Sequence, residues 1–157
     1  MTDLDPHLDL EILRDLAASP AAIWQCWKDP ALFCKWFTPK PVKTLNAQIE
    51  MTSGGRFNNT MQMPDDTKIE NKGCILMAIP ERRIIFTDTL SHGFRPQPKG
   101  FMTADITMMA SPNGCRYYVR VMHSSAKDRE KHFDMGFVEG WNQTITQLEE
   151  TAKSLDK

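Results

Sequence analysis

Four polar residues stand where chemistry could be done: Asn59, Asp88, Tyr117 and His123. Each falls in a segment of alternating apolar residues, in the phase that must face a core. A carboxylate and an imidazole within hydrogen-bond reach of one another could work as general acid and base. A buried carboxylate is costly without partners, so Asp88 reads in two ways. It is a ligand anchor or base, or it sits at a strand end and reaches solvent. His123 closes the last predicted strand, as an orienting group at a cavity mouth or as a locally bonded histidine. The chain holds no nucleophile motif, phosphate loop or dinucleotide fingerprint. Cys26, Cys34, Cys74 and Cys115 lack C-x-x-C spacing and read as buried thiols rather than metal ligands. No cofactor and no metal are expected. Glu81-Arg82-Arg83 reads as a solvated turn, and Arg95 and Lys99 as cations that could meet an acidic group at an entrance.

These residues sit in a chain of 157, with 41% hydrophobic and 25% charged residues and a net charge of −1. That length fits one domain, 1–157, with one substantial core. No long basic run supports a nucleic-acid partner. No apolar run approaches the roughly 20 residues that span a bilayer. The acidic start MTDLDPHLDLE lacks the positive region of a secretory signal, so a cytoplasmic location is expected.

The elements that must position the polar residues can be read in order. Alternation at Leu8, Leu10 and Ile12 predicts a strand over 8–16. Ser19-Pro20 and Asp29-Pro30 are two helix starts, each a capping residue followed by proline with its φ preset. They predict short helices over 20–28 and 30–37. Period-two strands follow at 42–51, 55–63, 68–79, 83–90, 101–110 and 115–123, separated by turn residues. The stretch SHGFRPQPKG, 91–100, reads as a mobile surface loop. From about 125 to 153, Phe133, Phe137, Trp141, Ile145, Leu148 and Ala152 recur every three or four residues, predicting one amphipathic helix. The fold class is therefore α+β. A curved antiparallel sheet of about seven strands wraps a long C-terminal helix, with two short helices after the first strand.

A helix cannot fill a wide concavity, so space between helix and sheet is expected. Its inward lining on the strands is Phe57, Asn59, Met61 and Met63; Ile75, Met77 and Ile79; Ile84, Phe86 and Asp88. It continues with Met102, Ala104, Ile106 and Met108, then Tyr117, Val119, Val121 and His123. Phe137 and Trp141 face it from the helix. Ten Met residues suit an adaptable apolar surface. The stretch WQCWKDPALFCKWF, 24–37, gathers three Trp and two Phe. Two short helices cannot bury these against each other, so Trp27, Phe33, Trp36 and Phe37 form one end of the cavity, as ligand contacts or as a cork.

Four motifs carry a resemblance. SPAAIWQCWKDPALFCKWF resembles an S-P-x-x-V-W, D-P, W-aromatic pattern. GGRFNNTMQMPDD resembles a G-G-x-F segment with a P-D-G turn, Asp66 standing where Gly is usual. GCILMAIPERRIIFT and GFVEGW resemble the next two segments of the same series. The order resembles the activator of heat-shock-chaperone ATPase homologues (AHSA family), within the SRPBCC, or START-like, superfamily. The resemblance implies a helix-grip fold whose cavity holds lipids, polyketides or other apolar molecules in relatives. It also implies a possible chaperone partner, although family members that stimulate the chaperone ATPase carry a separate N-terminal domain. The expected function is binding of a small apolar or amphipathic molecule. A cyclase- or hydratase-type enzyme using the same cavity, and a chaperone ATPase-stimulating domain, are the alternatives.

Overall fold

The computed structural model describes residues 3–156, and two capped helix starts near its beginning follow the sequence closely. Strand β1 (Asp9–Leu16) leads to α1 (Pro20–Lys28) and α2 (Pro30–Phe33). Ser19 Oγ accepts from Ala22 N at 3.1 Å, and Asp29 Oδ1 accepts from Ala31 N at 2.8 Å. The second helix is shorter than predicted and continues as turns through Phe37, whose N–H donates to Phe33 O. The Trp36 indole N–H donates to Cys26 O at 3.0 Å, satisfying a carbonyl that the end of α1 leaves free.

The strands β2 (Lys43–Ile49), β3 (Phe57–Gln62) and β4 (Lys68–Asn71) form one antiparallel ribbon, in the order β2-β3-β4. The strands β5 (Cys74–Ile79), β6 (Arg83–Thr87), β9 (Thr103–Ser111) and β10 (Gly114–Met122) join β1 in the order β1-β10-β9-β6-β5. The two sheets meet where Phe57 N donates to Gly73 O, Ile75 N to Gly55 O and Gly54 N to Ile75 O. The seam demands glycine: a Cβ on Gly55 would lie 2.0 Å from Glu50 O.

Three further details depart from the sequence expectation. The segment 68–79 is two strands, broken at Lys72-Gly73, because the chain crosses there from one sheet to the other. The loop 91–100 carries regular structure: β7 (Leu90–Ser91) and β8 (Arg95–Pro96) form a small hairpin around a helical turn at His92–Phe94. Gln97 pins it by donating to the carbonyls of Lys72, Asp88 and Leu90. These account for ten short strands among the described residues where about seven were expected. Finally, the C-terminal helix is two helices, α3 (Ala126–Asp134) and α4 (Phe137–Lys153). Gly136, at φ 92°, ends the first and begins the second. This left-handed position is the usual glycine stop. The break rotates α3 off the line of α4, so Phe133 is 47% exposed.

α4 lies in the concavity, burying Phe137, Ile145, Leu148 and Ala152 in one contiguous core with both sheets and α1. Its polar residues tie it at both sides. Arg14 Nη1 donates to Asn142 O at 3.2 Å, and Gln147 Nε2 donates to the carbonyls of Trp36 and Thr38 at 2.9 and 2.8 Å. Outside the apolar core, Asp9 and Arg120 form a buried ion pair at 2.8 Å, and Arg83 grips Asp105 with two bonds of 2.9 and 2.6 Å.

Candidate functional site: an apolar cavity with two polar points

α4 and the strands do not close on each other completely. A cavity of about 380 Å³ remains between the aromatic end and the start of α4. Trp27, Trp36 and Phe37 form one wall, Met61 and Tyr117 come from the strands, Met102 comes from the residue just before β9, and Phe137, Gly140, Trp141, Thr144 and Ile145 come from α4. His132 and Met135 complete it at the end of α3. Met135 is 68% exposed, so the cavity reaches the surface at the α3–α4 break. A groove of about 640 Å³ also runs along 34–45, with Lys35, Lys40 and Lys43 among its lining residues. The smaller, apolar cavity has the character of a small-molecule site.

The aromatic wall is built around Trp27, which is 1% exposed. Its ring centroid lies 4.9 Å from Trp36 in an edge-on contact, 5.8 Å from Phe86 and 6.1 Å from each of Phe33, Phe37 and Phe57. Phe33 stacks on Phe37 at 4.2 Å and stands behind it, away from the cavity. Such contacts fix ring positions at small entropic cost.

The first polar point is Tyr117. Trp27 Nε1 donates to its hydroxyl at 3.1 Å inside the core. Burial pushes that hydroxyl well above its ordinary pKa, so it stays protonated and its hydrogen remains available to the cavity. The second is a histidine pair. His123 Nδ1 lies 2.8 Å from Leu8 O, and its Nε2 lies 2.9 Å from Nδ1 of His132. Phe101 and Phe137 pack on the His132 ring at 4.9 and 5.0 Å. Burial, then the neighbouring His123, pulls the His132 pKa down to about 4 against an opposing pull from Asp88.

Of the residues expected to line the site, Trp27, Trp36, Phe37, Met61, Met102, Tyr117, Phe137 and Trp141 do so. Trp141 is half-buried rather than sealed against the sheet, because its ring borders open space. Phe33, Phe57, Phe86, Ala104 and Val119 are core residues one layer behind. Asn59 is buried, but its carbonyl oxygen accepts from Asn71 in the neighbouring strand at 3.1 Å. Asp88 is a structural acceptor: its Oδ1 takes the N–H groups of Phe101 at 2.7 Å and Met102 at 3.0 Å, pinning the start of β9. Met77 faces outward at 37% exposure, and Ile79 with it, because a β-bulge between Ile75 and Met77 inverts the alternation. His123 does not line the cavity but holds His132, which does. Arg95 and Lys99 are exposed and do not line it. Sequence reasoning missed His132, Met135, Gly136 and Gly140. Their signal was Gly136 itself, a helix breaker inside an otherwise regular periodicity.

A curved antiparallel sheet closed on a long helix over an apolar cavity is the helix-grip architecture of the START-like, or SRPBCC, superfamily. Within it the chain belongs to the family described as Activator of Hsp90 ATPase homolog 1-like protein, whose model matches residues 17–153. A crystal structure of a Nitrosomonas europaea protein is 38% identical, with a TM-score of 0.94 over 98% of this chain and 99% of that one. A Mycobacterium smegmatis protein is 25% identical, with a TM-score of 0.76 over 95% and 94%. An AHSA1-like protein from Aeromonas hydrophila, at 15% identity, shares the fold with a TM-score of 0.68 over 95% and 94%. Comparison with curated proteins finds no match. Among the described residues, no helix is long and apolar enough to cross a membrane.

Proposed function

We propose that this chain is a cytoplasmic single-domain protein that binds a small apolar or amphipathic molecule in the cavity between sheet and α4. The observation that carries the reading is the lining. Aromatic rings from the 24–37 stretch and from α4 face one another across about 380 Å³ of space, with methionines between them. Apolar walls with a few placed polar groups are what small-molecule sites have in common. Flexible methionines allow guests of loosely defined shape. An acid–base enzyme of the cyclase or hydratase type is a weaker reading. The expected base, Asp88, is held by two backbone amides, and Tyr117 is far too basic to act as an anion near neutral pH. Stimulation of a chaperone ATPase, which the family description names, is a surface role and should be indifferent to what fills the cavity.

The test is titration with an apolar fluorophore such as N-phenyl-1-naphthylamine. Saturable binding with one site, accompanied by quenching of tryptophan emission in a variant retaining Trp36 alone, supports the reading. If the fluorophore gains no saturable emission, the reading fails.

A further inference from the structure

We propose, building on the cavity-binding reading, that the guest is a neutral apolar molecule carrying a hydroxyl or N–H group, phenols and alcohols being the chemical class. We further propose that His132 Nε2 accepts that hydrogen, with His123 as the residue that positions it. The reasoning follows the protons. Leu8 O can only accept, so His123 Nδ1, 2.8 Å away, carries hydrogen. In a neutral His123 the other nitrogen, Nε2, is then a bare lone pair. It lies 2.9 Å from His132 Nδ1, so that nitrogen must donate. A neutral His132 with hydrogen on Nδ1 has a bare lone pair on Nε2. That atom has no hydrogen-bond partner among the described residues, and its residue lines the cavity. One backbone carbonyl therefore fixes two tautomers in series and leaves an acceptor for whatever enters. Phe101 and Phe137 on the His132 ring hold its plane.

An acceptor selects against anions. A carboxylate or sulfonate head would set its own lone pairs against that of Nε2. Protonation reverses the preference, and it does so whichever ring takes the proton. If His132 takes it, both its nitrogens carry hydrogen. If His123 takes it, its Nε2 donates to His132 Nδ1, and the hydrogen of His132 moves to Nε2. Either way Nε2 becomes a donor. The titratable groups facing His132 are His123 from the end of β10 and Asp88 from the turn after β6. On α3 itself, Arg129 is engaged with the Asp9 carbonyl and with Glu130. The low pKa of His132 keeps that ring neutral at neutral pH.

The test compares three ligands of one shape, 2-naphthol, 2-methoxynaphthalene and 2-naphthalenesulfonate, in displacing N-phenyl-1-naphthylamine from the intact protein. At about pH 7, naphthol should bind roughly 3- to 10-fold more tightly than its methyl ether, the range of one neutral hydrogen bond. His132→Phe should remove that preference while leaving methoxynaphthalene bound. Lowering the pH to about 4 should strengthen sulfonate binding relative to naphthol. Should His132→Phe not fold, ¹⁵N spectra of the wild-type imidazoles decide. His132 Nε2 should be unprotonated at about pH 7 and shift when naphthol, but not its ether, is added. Equal binding of naphthol and ether by the wild-type protein, or a protonated Nε2 at that pH, overturns the proposal and leaves the cavity reading standing. Failure of all three ligands and of the fluorophore to bind overturns the cavity reading instead.

Discussion

Gly140 offers a perturbation that separates binding from stability. It lies inside α4, where glycine costs about 1 kcal/mol relative to alanine. A Cβ built there meets nothing within 4 Å, because the residue faces the cavity. Gly140→Ala should therefore stabilise the fold by up to about 1 kcal/mol, raising Tm by roughly 2–4 °C for a chain of this size. Gly140→Leu keeps the helix-propensity gain and projects an isobutyl group into the space between Trp36 and Trp141. Burying that group adds stability of about 1.5–3 kcal/mol if it packs fully. The same group occupies the volume a guest would need, so affinity for an apolar fluorophore should fall at least about 10-fold, a cost of roughly 1.4 kcal/mol. Thermal melts by circular dichroism and fluorophore titration on the same samples read both effects. Most substitutions that abolish binding also destabilise; this one should not. If Gly140→Leu binds the fluorophore like the wild type, guests go elsewhere. If Gly140→Ala loses more than about 1 kcal/mol, the space beside α4 is not open.

Four further outcomes follow from the same geometry. Trp27→Ala, at the centre of the aromatic wall, should cost about 3–5 kcal/mol in denaturant unfolding, the range for a fully buried large aromatic. Asp9→Ala strips a carboxylate from buried Arg120 and should cost about 3 kcal/mol, whereas removing the exposed Arg116–Asp15 pair should change stability by less than about 1 kcal/mol. The depressed pKa of His132 means that the unfolded chain binds a proton between about pH 6.5 and 4 that the folded chain refuses. Stability should therefore be complete above about pH 6.5 and fall toward pH 4, by no more than about 1.4 kcal/mol per pH unit from this group, and His132→Phe should flatten that part of the profile. Among the thiols, burial, followed by nearby Asp29, pushes Cys26 up to about 11, so alkylation near neutral pH should label the partly exposed Cys34 well before Cys26.

Much of the fold was legible because its signals are local. Ser19-Pro20 and Asp29-Pro30 specify helix starts through their own side chains, and alternation marks Phe57, Phe86, Ala104 and Val119 as inward-facing whatever their partners. The site was legible only in part, since a cavity is defined by which inward residues fail to meet. Alternation cannot distinguish Met61, which borders the space, from Phe57 four residues earlier on the same face, which fills it. It also fails across a bulge, as at Met77, because one extra residue reverses every later side chain. Asp88 looked chemical for want of its partners, two backbone amides some thirteen residues on that only the folded turn supplies. His132 gave no sign by itself. Its role exists only because Gly136 breaks the helix and turns α3 so that one imidazole meets another.

The most direct test of guest binding is a methyl-NMR titration of the wild-type protein with naphthalene. The methyl signals of Met61, Met102, Met135 and Ile145 should shift together and saturate at about one equivalent, while those of Ile84 and Val121 in the packed core stay in place. Shifts confined to exposed methyls such as Met109, or no saturable shift at any cavity methyl, would contradict a guest-holding cavity in this fold.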